Sequence, residues 1–401
     1  MAERGTVLLK NDNRQLPLSK STVKSVAVIG SHSDVGVLSG GGSAQVDRPG
    51  GNAVPAQPPA PGQPGGRGGG MFGGVPVWYP SSPLKSVQAR AASAKVQYNE
   101  GTDPAAAAAL AKASEVAIVF VNQPASEGRD LRLTLPNDQD KLVEAVVAAN
   151  PHTIVVLETG GPANMPWADK VPAVMEAWFP GIRGGEAIAN ILFGDVNLSG
   201  KTVFSVAKNE SDWPHDKPFA PAASGNQPPA GVQAIGGPGG FGGGRGAGVP
   251  FDMPYTEGLK VGYKWFDAEN KTPLFAFGHG LSYTTFAYSG LKTATAQEKN
   301  QEPKVTFTVR NSGKRDGIEI AQVYATLPAS TNEPPKRLVA WEPVTLKAGE
   351  SKTVTLTIDP LCLSVFNESK DNWDLAGGDY KFQVGGSSRN LPLVGAVRLG
   401  G

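Results

Sequence analysis

Cysteine, histidine and charge are all scarce in this chain of 401 residues. The single cysteine, Cys362, excludes an intramolecular disulfide, and four scattered histidines predict no metal site. Charged residues make up 18 % of the chain, below the ~25 % usual in soluble domains. Lys and Arg total 37 against 36 Asp and Glu, so the near-zero net charge gives no reason to expect nucleic acid or a membrane surface as partner. No apolar run approaches the ~18 residues of a membrane span. Met1-Ala2-Glu3-Arg4-Gly5 lacks the basic-then-apolar pattern of a secretory signal. The sequence therefore predicts a soluble globular protein with uncharged partners, two or three domains at roughly 100–200 residues each, and leaves its compartment open.

What the chain has in excess is Gly (51) and Pro (34), concentrated in two blocks at 49–76 and 221–250. Such stretches bury little apolar surface and cost much ordering entropy, so both are read as surface inserts. Between them, short apolar runs alternate with helical segments. Val23–Gly30, Lys95–Tyr98, Val116–Val121, His152–Leu157 and Ala173–Trp178 read as strands. Asp103-Pro104 opens an Ala-rich helix to Ser114, and further helices are expected over Pro136–Asn150 and Gly185–Phe193. Alternation of this kind predicts an α/β domain over residues 1–220, a mostly parallel sheet with helices on both faces. A connecting segment, 221–283, carries the second insert and an aromatic-rich stretch. From 284 to 401 the period falls to two: Val305, Phe307 and Val309, then Val354, Leu356 and Ile358, then Tyr380, Phe382 and Val384. That pattern predicts an antiparallel β-sandwich with Cys362 as a small core residue.

Nucleotide motifs fail on spacing. Gly30 is followed at a distance by Gly40-Gly41-Gly42-Ser43-Ala44, which fits neither G-x-G-x-x-G nor a P-loop, so no cofactor is expected. There is no G-x-S-x-G, and His279, between two glycines, is assigned a structural role. The most informative segment is Val121–Arg132, which leaves a strand at its carboxyl end, where α/β sheets present functional loops. Within six residues it holds Glu127, Arg129, Asp130 and Arg132. Taken alone, such a cluster reads more readily as a solvated charged loop than as a site.

The motifs taken in order resemble the C-terminal half of family 3 glycoside hydrolases, the family of many β-glucosidases and β-xylosidases. They run from Thr6-Val7-Leu8-Leu9-Lys10-Asn11 through Val26–Gly30, Gly40–Ala44 and Glu127-Gly128-Arg129-Asp130 to Phe179-Pro180-Gly181. Leu192-Phe193-Gly194-Asp195, Ser199-Gly200-Lys201, Val261-Gly262-Tyr263 and Phe275–Thr284 complete the series. The resemblance implies an α/β-sandwich followed by a fibronectin type III-like domain. It also implies that Glu127 is the general acid/base of a retaining glycosidase acting on a β-linked glucoside or xyloside, with Arg129, Asp130 and Arg132 as sugar-binding positions. The family often places Arg directly after the Asp; here Leu131 intervenes.

In the family, a (β/α)8 barrel supplies the nucleophilic aspartate and most sugar contacts, and no barrel sequence is present in these residues. The resemblance therefore implies that the missing barrel, as a domain or a separate chain, is the partner, and that this half is inactive alone. Parents of this type are often exported, so a periplasmic or secreted enzyme is one expectation. The competing expectation is a non-catalytic module that binds carbohydrate or a partner protein.

Overall fold

The computed structural model describes residues 1–41, 77–123, 125, 133–214, 255–294 and 302–399. Two compact units divide these residues. Met1–Val196 with Asn209–Ser211 belongs to the first, and Asn197–Lys208, Asp212–Pro214 and everything from Thr256 onward to the second.

The first unit is built on a six-stranded sheet. Its strands are β1 (Val7–Asn11), β2 (Ser25–Ile29), β3 (Lys95–Asn99), β4 (Val116–Asn122), β5 (Thr153–Glu158) and β6 (Ala173–Glu176). They lie in the order β1-β6-β5-β4-β2-β3, with β1 antiparallel to β6 and every other pair parallel. Continuous apolar runs form the central strands because both faces are covered: Val26–Ile29 and Ile154–Leu157 are wholly buried. The unit's longer helices are α1 (Pro83–Arg90), α2 (Pro104–Lys112), α3 (Gln139–Ala149) and α4 (Gly184–Leu192). The first two start by the same device, a capping side chain followed by proline. Ser82 Oγ accepts from Lys85 N–H at 3.1 Å, and an Asp103 carboxylate oxygen accepts from Ala105 N–H at 2.9 Å.

The strand order sets where a ligand can approach. From β2 the chain moves outward to β3, then returns to lay β4 on the other side of β2 and continues away through β5 and β6. The direction reverses between β2 and β4, and a crevice opens at such a point outside the carboxyl ends of the strands. The loop carrying Glu127 begins there, at the end of β4.

The second unit is a sandwich of antiparallel strands: β7 (Phe286–Ala294), β8 (Lys304–Asn311), β9 (Gly317–Thr326), β10 (Arg337–Leu346), β11 (Ser351–Thr357), β12 (Val365–Asn367), β13 (Asn372–Asp374), β14 (Gly378–Gly385) and β15 (Leu393–Leu399). Sheets β11-β8-β7 and β10-β9-β14-β15 enclose Phe307, Val323, Tyr380 and Phe382, while β12 and β13 form a separate hairpin. On the outer face threonines pair across strands, Thr306 with Thr355 at 2.9 Å and Thr308 with Thr353 at 3.3 Å. The aromatic stretch folds with this unit. Tyr263 stacks on Phe277 at 4.6 Å, and its hydroxyl accepts from Leu338 N–H at 2.8 Å.

Cys362 is exposed, contrary to its expected place in the core. Asp359 and Pro360 start a single 3-10 turn in which Leu363 points inward. The turn's tight pitch leaves Leu361 and Cys362 outward.

Candidate active site

Glu127, Arg129, Asp130 and Arg132 lie outside the described residues, but both ends of their loop are described. At the entry, the Gln139 side chain reaches back from the first turn of α3. Its Oε1 accepts from Asn122 N–H at 2.9 Å, and its Nε2 donates to Asn122 O at 2.8 Å. Gln123 is buried, and its N–H donates to Glu158 O at 3.3 Å. Ala125, two residues before Glu127, accepts at its carbonyl from Gly41 N–H at 2.8 Å. At the exit, Leu133 O accepts from Asn164 N–H at 2.7 Å.

Ala125 sits on a floor that admits no extra atom. A β-carbon at Gly40 would stand 2.6 Å from Ala125 O and 2.9 Å from Phe179 Cε2. One at Gly160 would stand 2.7 Å from Ala125 Cβ and 2.9 Å from Phe179 Cε2. Glycine is required at both positions because the three loops after β2, β5 and β6 converge on the start of the fourth, after β4.

Two carboxyl groups that the sequence reading did not single out lead into that floor, Glu158 two residues before Gly160 and Glu176 three before Phe179. Glu158 and Glu176 end the neighbouring strands β5 and β6, each only 3 % exposed. The Glu176 Oε1 accepts from Trp178 N–H at 2.8 Å, and Oε2 lies 3.0 Å from Thr159 Oγ1. Glu158 Oε1 has no hydrogen-bond partner among the described residues. Burial pushes the Glu158 carboxyl up to about 8. Burial also raises Glu176 to about 8, against the pull of its hydrogen bonds to Trp178 and Thr159 and with a smaller push from Glu158. Trp178 itself has φ of +58°, an unusual conformation for a bulky residue. The available signal was two glutamates closing otherwise apolar runs, HTIVVLE and AVME; apolar periodicity gives such terminal positions no weight.

Other motif residues do structural work. Asp195 pairs with Lys20 and, at 3.0 Å, with Arg90. In the second unit, Lys201 Nζ donates to Gly280 O at 2.9 Å, and the His279 ring stacks on Phe275 at 5.5 Å. No group of three or more His, Cys, Asp or Glu among the described residues is arranged to hold a metal ion, and no described helix is long and apolar enough to cross a membrane.

Comparison with known families agrees with this architecture. Residues 6–283 match the glycosyl hydrolase family 3 C-terminal domain, and residues 319–388 match the fibronectin type III-like domain. The chain belongs to glycosyl hydrolase family 3. Among curated relatives it is 38 % identical over 301 residues to beta-glucosidase B of Emericella nidulans, covering 73 % of this chain and 33 % of that protein. It is 36 % identical over 295 residues to the thermostable beta-glucosidase B of Acetivibrio thermocellus, covering 72 % and 36 %. Among solved structures, a beta-glucosidase from Streptomyces venezuelae in complex with D-glucose superposes with a TM-score of 0.77 at 29 % identity, covering 99 % of this chain and 59 % of that one. The family 3 chain thus spans about a third of the length of these two curated relatives.

Proposed function

We propose that this chain is the acid/base-bearing half of a retaining family 3 β-glucosidase, with Glu127 as the proton donor and acceptor. Kinship with beta-glucosidases supports hydrolysis of O-glycosidic bonds as the reaction class. The observation that carries the reading is the double anchoring of the Glu127 loop, at Ala125 and at Leu133, at the carboxyl edge where the sheet's connections reverse.

Retaining hydrolysis needs two carboxyl groups about 5–5.5 Å apart, one to attack the anomeric carbon and one to protonate the leaving oxygen. Glu127 serves as the second: it gives its proton to the departing aglycone, then removes one from the water that releases the sugar. The nucleophile is an aspartate of the barrel partner, which also supplies most contacts to a β-linked glucoside or xyloside. Arg129, Asp130 and Arg132 contribute contacts from the loop side. An acid of this kind must hold its proton at working pH, which requires a neighbouring negative charge or exclusion of water. The barrel provides both, so the chain by itself is expected to be inactive.

The test is reconstitution. The purified chain, alone and mixed with a separately expressed barrel half of a family 3 relative, is assayed on an aryl β-glucoside. Turnover only in the mixture, lost in Glu127→Gln, is the expected result; turnover by the chain alone that survives this substitution contradicts it.

A second reading, a sugar-binding module without catalysis, is favoured by the exposed Phe366–Trp373 pair on the β12–β13 hairpin, with ring centroids 5.5 Å apart. It entails affinity for oligosaccharide that Glu127→Gln leaves untouched.

A further inference from the structure

Thr159 touches two oxygens with one hydroxyl. Its Oγ1 lies 2.7 Å from Gly161 O and 3.0 Å from Glu176 Oε2. A hydroxyl carries a single hydrogen, and a backbone carbonyl can only accept. With the Thr159 proton on Gly161 O, the shorter of the two contacts, the second contact is a hydrogen bond only if Oε2 carries a hydrogen of its own. Meanwhile Oε1 accepts from Trp178 N–H at 2.8 Å. The Thr159 N–H also donates to the Glu176 carboxyl, so Glu176 accepts from two backbone N–H groups and, on this assignment of the hydroxyl proton, donates through Oε2 to Thr159.

The bonds reach the loop that matters. Thr159 and Gly161 flank Gly160, and Trp178 precedes Phe179; Gly160 and Phe179 are the floor beneath Ala125. The geometry points to Glu176, as a neutral carboxylic acid donating to Thr159 and accepting from Trp178, as a positioning residue that clamps the β5 and β6 loops into the seat of the Glu127 loop. This inference rests on the proposed role of Glu127 only for its catalytic consequence; the clamp itself is a property of this chain. Glu158 is the one titratable group among the described residues that bears on the charge of Glu176, and it too is buried and acidic. With no cation opposite among the described residues, both carboxyls favour the proton-bearing form.

The full chain tests this without any glycoside. Hydrogen exchange over residues 157–163 and 176–181, corrected for the intrinsic pH dependence of exchange, is measured at pH 6 and pH 9.5 for the wild type, Glu176→Gln and Glu176→Leu. Infrared difference spectra of the wild type and Glu176→Gln are recorded at pH 6. A single hydrogen bond of this kind corresponds to roughly five- to tenfold in protection. The expected wild type is protected at pH 6, loses about that factor at pH 9.5 as the clamp ionises, and shows a protonated-carboxyl band that Glu176→Gln lacks. Glu176→Gln, whose amide donates and accepts in the same places, stays protected at both pH values, whereas Glu176→Leu is unprotected at both. Loss of protection at pH 6 in Glu176→Gln, or a spectrum without the protonated band, overturns the clamp even if Glu176→Leu fails to fold. Failure of the Glu127 reading shows instead in the reconstituted activity and leaves these spectra unchanged.

Discussion

The two units bury acids in opposite ways. In the β-sandwich unit, Asp267 is 5 % exposed at its side chain and lies 2.5 Å from Lys336 and 2.9 Å from Arg389. Glu319, 7 % exposed at its side chain, meets Lys201 at 3.3 Å and accepts from the Tyr288 hydroxyl at 2.7 Å. In the α/β unit, Glu158 and Glu176 are buried as deeply with no cation beside them among the described residues. A buried acid with cations around it ties segments together as an ion pair. A buried acid without them holds its proton, and its environment then depends on pH. The uncompensated pair ends the two strands whose following loops pack against Ala125, and the compensated acids belong to the sandwich unit.

The largest effect that separates the units is on activity. In a barrel-reconstituted enzyme, Glu127→Gln is expected to lower kcat/KM by about 10²–10⁴-fold, whereas Asp267→Asn leaves the rate of correctly folded enzyme within a small factor. Next comes stability of the sandwich. Asp267→Ala strands Lys336 and Arg389 and is expected to cost about 3–5 kcal/mol, read as a lower denaturation midpoint. A loss below about 1 kcal/mol would mean that these cations find other partners or water.

The third effect is a slope and belongs to the α/β unit. Glu176 keeps its proton to about 8 in the folded chain, against 4.5 for an ordinary glutamate. The folded chain therefore binds more protons across that window, and stability falls as pH rises from about 4.5 through about 8. The slope is on the order of 1.4 kcal/mol per pH unit for each such group. Urea denaturation between pH 5 and 8.5 should show the decline, and Glu176→Gln should flatten it by one group's share. The smallest effect is at Cys362, where Cys362→Ser should change stability by less than about 0.5 kcal/mol, and the thiol should react with a soluble reagent before any unfolding.

Much of this was legible in the sequence because the signals were local or periodic. Asp103-Pro104 marked a helix start that the structure places at Pro104, and the Val305, Phe307, Val309 alternation marked β8. Other features were not. The edge strand β1 is five residues and among the described residues pairs only with β6, so its identity depends on a partner more than 160 residues away. Helix α1 has only Pro83 and Val87 buried, so its apolar periodicity is faint despite the Ser82-Pro83 start. Cys362 was misplaced because burial of a small residue in a one-turn helix depends on which neighbour points inward. The clamp at Glu176 was invisible because it depends on strand register, which brings Leu157 opposite Glu176 and sets Thr159 within reach. The charged loop and the Gly40–Ala44 stretch were found by motif, and the bond from Gly41 to Ala125 and the close approach at Gly160 only by the fold.

The most direct test of the central claim uses a substrate that needs no acid to leave. In the reconstituted enzyme with Glu127→Ala, a dinitrophenyl β-glucoside should still load the nucleophile, and release of the sugar should stall for lack of a base. Added azide, which needs no base, should then restore turnover and yield β-glucosyl azide as product. Unimpaired hydrolysis by Glu127→Ala, or stalled turnover that azide leaves unchanged with no glucosyl azide formed, would place the acid/base on another residue.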